Sequence, residues 1–176
     1  MSLPHALLTS LLEKPSSGLE LAHRFSKSIG YFWQASHQQI YRELVRLEEA
    51  GWVQSSADEG ARGRKRTYEV LPAGKAELKR WMALPSEHKN LRDEMMVRIR
   101  AAAVVGPAGL ADGLKQRLAS HREQLALYRA IHKKDFEGKK ETRAMVLQRR
   151  ILEVGIEYER QYVAFCEDVL KELGEA

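Results

Sequence analysis

Residues 36–53 have the sequence SHQQIYRELVRLEEAGWV, and a basic, glycine-bearing segment, GARGRKR, follows closely at 60–66. Ser36 is a favourable N-cap residue, and Gln39 three positions later completes a capping box, so a helix is predicted to begin here. Gly51 suits the left-handed position that ends a helix. The segment therefore predicts a capped amphipathic helix that runs into a strand, with an inward apolar stripe of Ile40, Leu44 and Leu47.

The basic segment is predicted to form the tip of a β-hairpin. The two strands are expected over 52–56 and 64–70, joined by 57–63, because polar and apolar side chains alternate along the second strand. Four of the five residues 62–66 are basic, whereas most other Lys and Arg residues have acidic neighbours on helical faces. A helix sized for the major groove, followed by a basic wing, predicts a winged helix-turn-helix that holds duplex DNA.

The segments around this unit are predicted to be helical. Pro72 suits the first turn of one of these helices. The sequence Leu84-Pro85-Ser86 is the best boundary, which gives a DNA-binding domain over 1–85. Helices are expected over 6–12, 19–28 and 72–83, with a turn over 14–18.

The second part of the chain, 86–176, is predicted to be helical throughout. Helices are expected over 91–105, 110–132 and 141–173, with a turn or polar linker over 133–140. The last two helices carry narrow apolar stripes, which favour coiled-coil-like pairing. The stripes comprise Leu114, Leu118, Leu125 and Tyr128 on one helix, and Leu147, Ile151, Val154, Tyr158, Tyr162, Phe165 and Val169 on the other. The predicted fold class is mainly α (α+β), a winged helix-turn-helix followed by a helical domain.

Composition restricts the classes of function. The 176 residues carry a net charge of +5, which makes a polyanionic partner plausible without proving one. Cys166 is the only cysteine, so no internal disulfide can form and a cytoplasmic location is expected. It is expected to be packed or idle rather than nucleophilic. The longest apolar run, 101–105, is too short to cross a bilayer, and the N-terminus has no signal-peptide pattern, so no membrane partner is expected.

The predicted helix that Ser36 caps and Gly51 ends offers the side chains that pair with base edges in the major groove, namely amides and guanidinium groups. Gln38, Gln39 and Arg42 lie in its first turns, where base-reading residues usually lie. Tyr41 and Arg46 are better placed for phosphates. The full set of predicted DNA-binding residues is Ser36, His37, Gln38, Gln39, Tyr41, Arg42 and Arg46 on the helix, and Arg62, Gly63, Arg64, Lys65 and Arg66 on the wing.

Each of these residues also has a purely structural interpretation. Ser36 and Gln39 are as well explained by capping the helix as by contacting DNA. The helix arginines are able to pair with Glu43 or Glu49, and Tyr41 is able to pack in the core. His37 is able to lie in solvent, and it has no partner at a spacing useful for a metal site. The wing arginines and lysine fit a solvated loop less well, because the nearby acids, Asp58 and Glu59, precede them.

Four segments resemble the PadR family of transcriptional regulators. They are IGYFWQASHQQIYREL at 29–44, LEEAGWV at 47–53, PSSGLEL at 15–21 and YEVLPAG at 68–74. The chain departs from the family at Leu19, where tyrosine is common, and at Pro72, where threonine is frequent. Beyond residue 85, the three-helix pattern and the region around Asp93 resemble the longer PadR subgroup, which includes phenolic-acid-responsive repressors and AphA-like activators.

The resemblance implies a homodimer formed through the C-terminal helices that binds an inverted repeat near a promoter, usually as a repressor. In the phenolic-acid branch it also implies a small aromatic effector. Phe32, Trp33 and His37 are the nearest candidates to line such a site, although packing at the domain junction is the favoured role for Phe32 and Trp33. An AphA-like activator without a ligand and a winged-helix protein–protein adaptor are the alternatives. Nucleotide-binding and metalloprotease motifs are absent from the sequence, so no enzyme, cofactor or metal is expected.

Overall fold

The computed structural model describes residues 3–26, 33, 35–57, 66–86 and 92–175. The chain divides into two compact units, Met1–His88 and Lys89–Ala176. In the described part, no helix is both long and apolar enough to cross a membrane.

The first unit contains four helices and three short strands in its described residues. A central pair of antiparallel strands joins Val53 to Val70 and Ser55 to Tyr68. The strand that contains Tyr68 also pairs, along its opposite edge, with a third strand, in which Ser16 lies opposite Tyr68. The elements are α1 (Leu3–Glu13), β1 (Ser16–Ser17), α2 (Gly18–Ser26), α3 (His37–Glu49), β2 (Val53–Ala57), β3 (Arg66–Val70) and α4 (Pro72–Met82).

The core of the first unit lies between α1, α2, α3 and the sheet. The stripe predicted on α3 is buried together with apolar residues of α1 and α2, because each helix turns one apolar face inward. Gly74 allows α4 to pass close to the backbone of Trp52, since a Cβ atom at this position would lie 2.3 Å from the Trp52 carbonyl oxygen. The buried cluster consists of Leu7, Leu8, Leu11, Leu21, Ala22, Phe25, Ile40, Leu44, Leu47, Val53 and Tyr68.

The segment predicted only as a turn, 14–18, also supplies the third strand. Ser16 and Ser17 pair with β3, and α2 begins directly at Gly18. The Arg24 guanidinium stabilises this segment by donating to Ser16 Oγ at 2.9 Å and to the Lys14 carbonyl at 2.8 Å. A two-residue strand is too short for a pattern of alternation, so the sequence alone carries no signal for it.

The second unit contains α5 (Glu94–Val105), α6 (Leu110–Asp135) and α7 (Arg143–Glu172). The last two helices form an antiparallel hairpin, and all four residues predicted as the stripe of α6 are buried. Gly138 takes a left-handed φ of +70° in the turn between them. The helix α6 continues to Asp135, so the linker predicted from Lys133 begins three residues later than expected.

The stripe predicted on α7 is buried along only part of its length. Tyr162 is buried and Phe165 packs against the core, but four residues nearer the start of the helix are 47% to 71% exposed: Leu147, Ile151, Val154 and Tyr158. The face that packs against α6 is a neighbouring one, formed by Leu152, Glu159, Tyr162, Cys166 and Leu170. The helix thus has two apolar faces, of which the described part of the chain covers one. Cys166 is fully buried, as its predicted packing role requires.

A polar cluster links the start of α5 to the hairpin. Arg117 donates to both carboxylate oxygens of Asp93, one at 2.8 Å, and lies over the Tyr162 ring at 5.2 Å. His121 Nδ1 lies 2.5 Å from a Glu159 carboxylate oxygen. The guanidinium of Arg117 holds the pKa of Asp93 below its ordinary value, and burial raises the pKa of Tyr162 to about 12. The ion pair between Asp93 and Arg117 fixes how α5 begins on the hairpin.

Candidate DNA-reading surface

The cap of α3 is the one predicted. Ser36 Oγ accepts a hydrogen bond from the backbone N–H of Gln39 at 3.2 Å, and Gln39 Oε1 accepts from the Ser36 N–H at 2.8 Å. Both side chains are therefore committed to the helix terminus. At the other end, Gly51 takes a left-handed φ of +69° and turns the chain into β2.

Tyr41 lies beside the first residue of α2. A Cβ atom at Gly18 would come within 2.5 Å of Tyr41 Cε1, so the ring occupies the space that the glycine leaves open. The ring nevertheless stays exposed at its outer side and does not join the buried core. Tyr41 thus packs against α2 at Gly18, and its predicted contact with a phosphate remains a prediction.

A carboxylate fastens α3 to the wing strand β2. Glu48 Oε1 accepts from both the backbone N–H of Ser55 at 2.9 Å and the Ser55 hydroxyl at 2.6 Å. The Ser55 hydroxyl lowers the pKa of Glu48 below its ordinary value of 4.5. This pair fixes the angle between the helix and the strand that leads into the wing. This contact was not predictable from the sequence, because no pattern of residue spacing pairs a helix position with a strand position seven residues later.

Replacing Glu48 with alanine is expected to lower the free energy of unfolding of the first unit by about 1–2 kcal/mol at pH 7, since two hydrogen bonds are lost. All three tryptophans, Trp33, Trp52 and Trp81, lie in this unit, so urea unfolding followed by tryptophan fluorescence reports it selectively. A depressed carboxyl pKa contributes stability above the unfolded value of 4.5 that is lost as the pH falls through the folded pKa. The difference in stability between the wild type and the variant should therefore shrink as the pH falls below 4.5.

Glu49 is the matched control for this measurement. It is exposed and makes no hydrogen bond or ion pair within the described residues, so Glu49→Ala should stay within about 0.5 kcal/mol of the wild type. Equal unfolding midpoints for Glu48→Ala and Glu49→Ala at pH 7 would show that the contact with Ser55 does not stabilise the unit.

The outward face of α3 presents polar side chains that make no hydrogen bond or ion pair with other described residues. Gln38 and Arg42 lie one turn apart, both are exposed, and neither has a hydrogen-bond or ion-pair partner in the part of the chain that the structure describes. Arg46, by contrast, lies 3.4 Å from a carboxylate oxygen of Glu43, which matches the structural interpretation that the sequence left open. The amide and the guanidinium nearest the start of the helix are thus the side chains most available to a ligand.

His37 opens the helix beside a second histidine. Its ring lies edge-on to the ring of His23 from α2, with ring centroids 5.8 Å apart. Both side chains are exposed. No group of three or more His, Cys, Asp or Glu residues suitable for a metal ion occurs within the described ranges. The sequence did not indicate His23, because its contact with His37 depends on how two helices pack.

Most of the predicted wing lies outside the described residues. The wing residues outside the described ranges are Arg62, Gly63, Arg64 and Lys65. Phe32, which precedes α3, also lies outside them. Arg66 is described: it is exposed at the first position of β3, opposite Ala57 of β2. Trp33 is partly buried and packs against the core of the first unit. The roles of all these residues in binding remain predictions.

Two family models match successive parts of the chain. Residues 7–80 match the PadR-like family of transcriptional regulators, and residues 91–174 match the C-terminal domain described as virulence activator alpha. Each matched segment lies within one of the two compact units.

Similar proteins match along their full lengths. The probable transcriptional regulator Rv1176c of Mycobacterium tuberculosis is 36% identical over 187 aligned positions, covering 99% of each chain. The virulence activator AphA of Vibrio cholerae is 30% identical, with a TM-score of 0.82 and 98% of each chain covered. PadR of Bacillus subtilis, solved in complex with operator DNA, shares the fold at 22% identity, with a TM-score of 0.84 and 98% of each chain covered.

The same Bacillus subtilis protein has been solved with p-coumaric acid, and that structure gives a TM-score of 0.78 at 24% identity, covering 99% of this chain and 100% of that one. A relative more than 30% identical over the whole chain, together with the two family matches, establishes the family, and the relatives are regulators of transcription. The chain therefore belongs to the PadR-like family of transcriptional regulators, and it is a DNA-binding protein of the winged-helix type rather than an enzyme.

Proposed function

We propose that this protein is a homodimeric repressor that occludes a promoter by binding an inverted repeat, with Gln38 and Arg42 of α3 reading base edges. The observation that carries the proposal is the division of labour at the start of α3. Ser36 and Gln39 cap the helix, whereas Gln38 and Arg42 are exposed and without partners in the described residues. Side-chain amides and guanidinium groups are the groups that discriminate bases in the major groove.

The helical domain predicted over 86–176 is proposed to hold two copies together. The exposed stripe of α7 supports this role, because apolar side chains recur on one face with spacings of three or four residues and the chain itself leaves them uncovered. A two-fold dimer presents two copies of α3, and that symmetry matches an inverted repeat. The domain over 1–85 then supplies recognition, and the helical domain sets the separation of the half-sites.

A small aromatic carboxylate is the effector class that we propose to release the repressor. Support comes from Bacillus subtilis PadR, which has been solved with p-coumaric acid. Of the candidate lining residues Phe32, Trp33 and His37, only His37 is an exposed polar group in the described part, and the packing of Trp33 favours a structural role for it. Titrating p-coumaric acid into a protein–DNA complex should release the DNA, and benzoic acid serves as the smaller aromatic control.

Selection of bound sequences from a random duplex pool tests the proposal as a whole. A dimer of this kind should enrich an inverted repeat whose half-sites are about 10 base pairs apart, or a multiple of that distance. A reporter gene whose promoter contains the selected inverted repeat should be silenced by the protein. Failure to bind any duplex, even at low salt, would support the adaptor alternative instead, and activation of the reporter would support the AphA-like one.

The wing is tested by replacing Arg62, Arg64, Lys65 and Arg66 together with alanine. Each phosphate contact contributes about −0.9 to the slope of log K against log salt concentration, so a wing that neutralises two to four phosphates per protomer should flatten the slope by roughly 2–4 units per protomer. Affinity for selected and unselected duplexes should fall together, because phosphates carry no sequence information.

The matched control for the wing variant replaces Lys75 and Lys79, which are exposed on α4, with alanine. This removes positive charge from the same unit without touching the predicted wing. Mobility shifts at several salt concentrations measure both variants. An unchanged slope in the fourfold variant, or an equal change per charge in the two variants, would contradict the wing assignment.

A further inference from the structure

The outward face of α3 carries one aliphatic side chain, Val45. It lies seven residues after Gln38 and three after Arg42, so the three side chains share one face of the helix. Val45 is 50% exposed, although the buried residues of α3 are also aliphatic and none of them exceeds 1% exposure. A valine on the surface of a helix interior is a weak helix former, so helix stability does not account for it there.

The side chains next to Val45 are engaged elsewhere. Tyr41, one turn earlier, fills the space over Gly18. Arg46 pairs with Glu43, and Glu48 accepts two hydrogen bonds from Ser55. Val45 is absent from the buried core of the first unit and from the residues that pack against it. Within the described residues, its methyl groups therefore form an uncovered apolar spot beside the two polar side chains proposed to read bases.

An apolar spot in this position has a specific counterpart in DNA. The edges of the bases in the major groove are polar except for the C5-methyl group of thymine, which aliphatic side chains contact. We propose that Val45 reads a thymine methyl group in each half-site, next to the base pairs contacted by Gln38 and Arg42. This inference rests on the proposed function of α3 and adds a third specificity-determining residue to it.

The size of the effect follows from the chemistry of one methyl group. Removing a methyl group from water corresponds to roughly a fourfold change in affinity. Because the dimer meets two half-sites, the loss of both contacts multiplies to about fifteenfold. If Val45 makes no contact with DNA, Val45→Ala should keep any thymine preference that the wild type shows.

Replacement of thymine by deoxyuridine provides the test, since it removes the C5-methyl group and leaves base pairing unchanged. In a duplex obtained by selection, each thymine of the half-site is replaced in turn, symmetrically in both half-sites. The wild type should lose about fifteenfold in affinity at one position. Val45→Ala should bind the thymine duplex about fifteenfold more weakly and should no longer distinguish thymine from deoxyuridine at that position.

Leu19→Ala is the matched control, because Leu19 is an aliphatic residue of the same unit that is also about half exposed, at 54%. It should keep the thymine preference of the wild type. Tryptophan fluorescence verifies that each variant is folded. Retained discrimination in Val45→Ala, or a wild type indifferent to every replacement, would overturn the inference. Failure of the wild type to bind any selected duplex would instead reject the proposed function itself.

Discussion

Replacing Val154 with aspartate is expected to convert the proposed dimer into monomers and to abolish binding to an inverted repeat. Val154 is 71% exposed in the single chain and lies on one face of α7 with Ile151 and Tyr158. In a two-fold interface the substitution buries two carboxylates without partners, at about 2 kcal/mol or more each. The dimer dissociation constant should then rise by about a thousandfold or more.

Sedimentation measures the change directly, with circular dichroism to verify that the monomer keeps its helices. The matched control is Ala164→Asp, which introduces the same charge on the same helix at an exposed position outside the apolar stripe. Specific DNA binding should be lost in Val154→Asp and retained in Ala164→Asp. A Val154→Asp protein that remains dimeric would show that this stripe is not where the two copies meet.

The exposed stripe of α7 shows that a sequence pattern identifies an apolar helix face but does not identify the surface that covers it. The spacing of Leu147, Ile151 and Val154 marks a helix face that needs covering, and the same is true of the face that contains Leu152 and Cys166. Only the fold shows that the second face packs against α6 and that the first does not. Periodicity identifies apolar faces, but the identity of the covering surface depends on tertiary and quaternary contacts that lie far apart in sequence.

The helix α3 was predictable because its signals are local. Ser36, Gln39 and Gly51 act within four residues of the backbone groups that they satisfy or the turn that they permit, and the structure confirms each of them. The family resemblance, also carried by this region, is confirmed as well. The contact between Glu48 and Ser55 and the strand at Ser16 were not predictable, since both depend on where separate elements meet.

The types of residue on the candidate DNA-reading surface were predictable from the sequence. The choice between a DNA-binding role and a structural role was less predictable for each residue. The sequence left two roles open for Ser36, Gln39 and Arg46, and the hydrogen bonds and the ion pair that these side chains make now favour the structural one. With Gln39 assigned to the cap, the base-reading candidates from the sequence are Gln38 and Arg42, and Val45 is added to them as a proposal. A substitution at Arg42, the charged member of the set, therefore tests the proposed base recognition by α3 most directly.

Replacing Arg42 with alanine is expected to reduce affinity for the selected inverted repeat far more than affinity for an unselected duplex. Its guanidinium is exposed and has no hydrogen-bond or ion-pair partner within the described chain. A bidentate contact from arginine to guanine contributes about 1–3 kcal/mol of discrimination. Two half-sites double this value, so specific affinity should fall by roughly thirtyfold to twenty-thousandfold.

Two further variants, Arg46→Ala and Arg42→Lys, separate the effect of positive charge from the effect of base recognition. Arg46→Ala removes the same charge one turn later from a side chain paired with Glu43, so it should weaken selected and unselected duplexes alike and by less than about tenfold per half-site. Arg42→Lys keeps the charge but loses the planar fork that contacts two acceptors, so it should recover non-specific binding without recovering specificity. Full specificity in Arg42→Lys, or equal losses on both duplexes in Arg42→Ala, would reassign Arg42 to the phosphate backbone and leave base recognition to Gln38 and Val45.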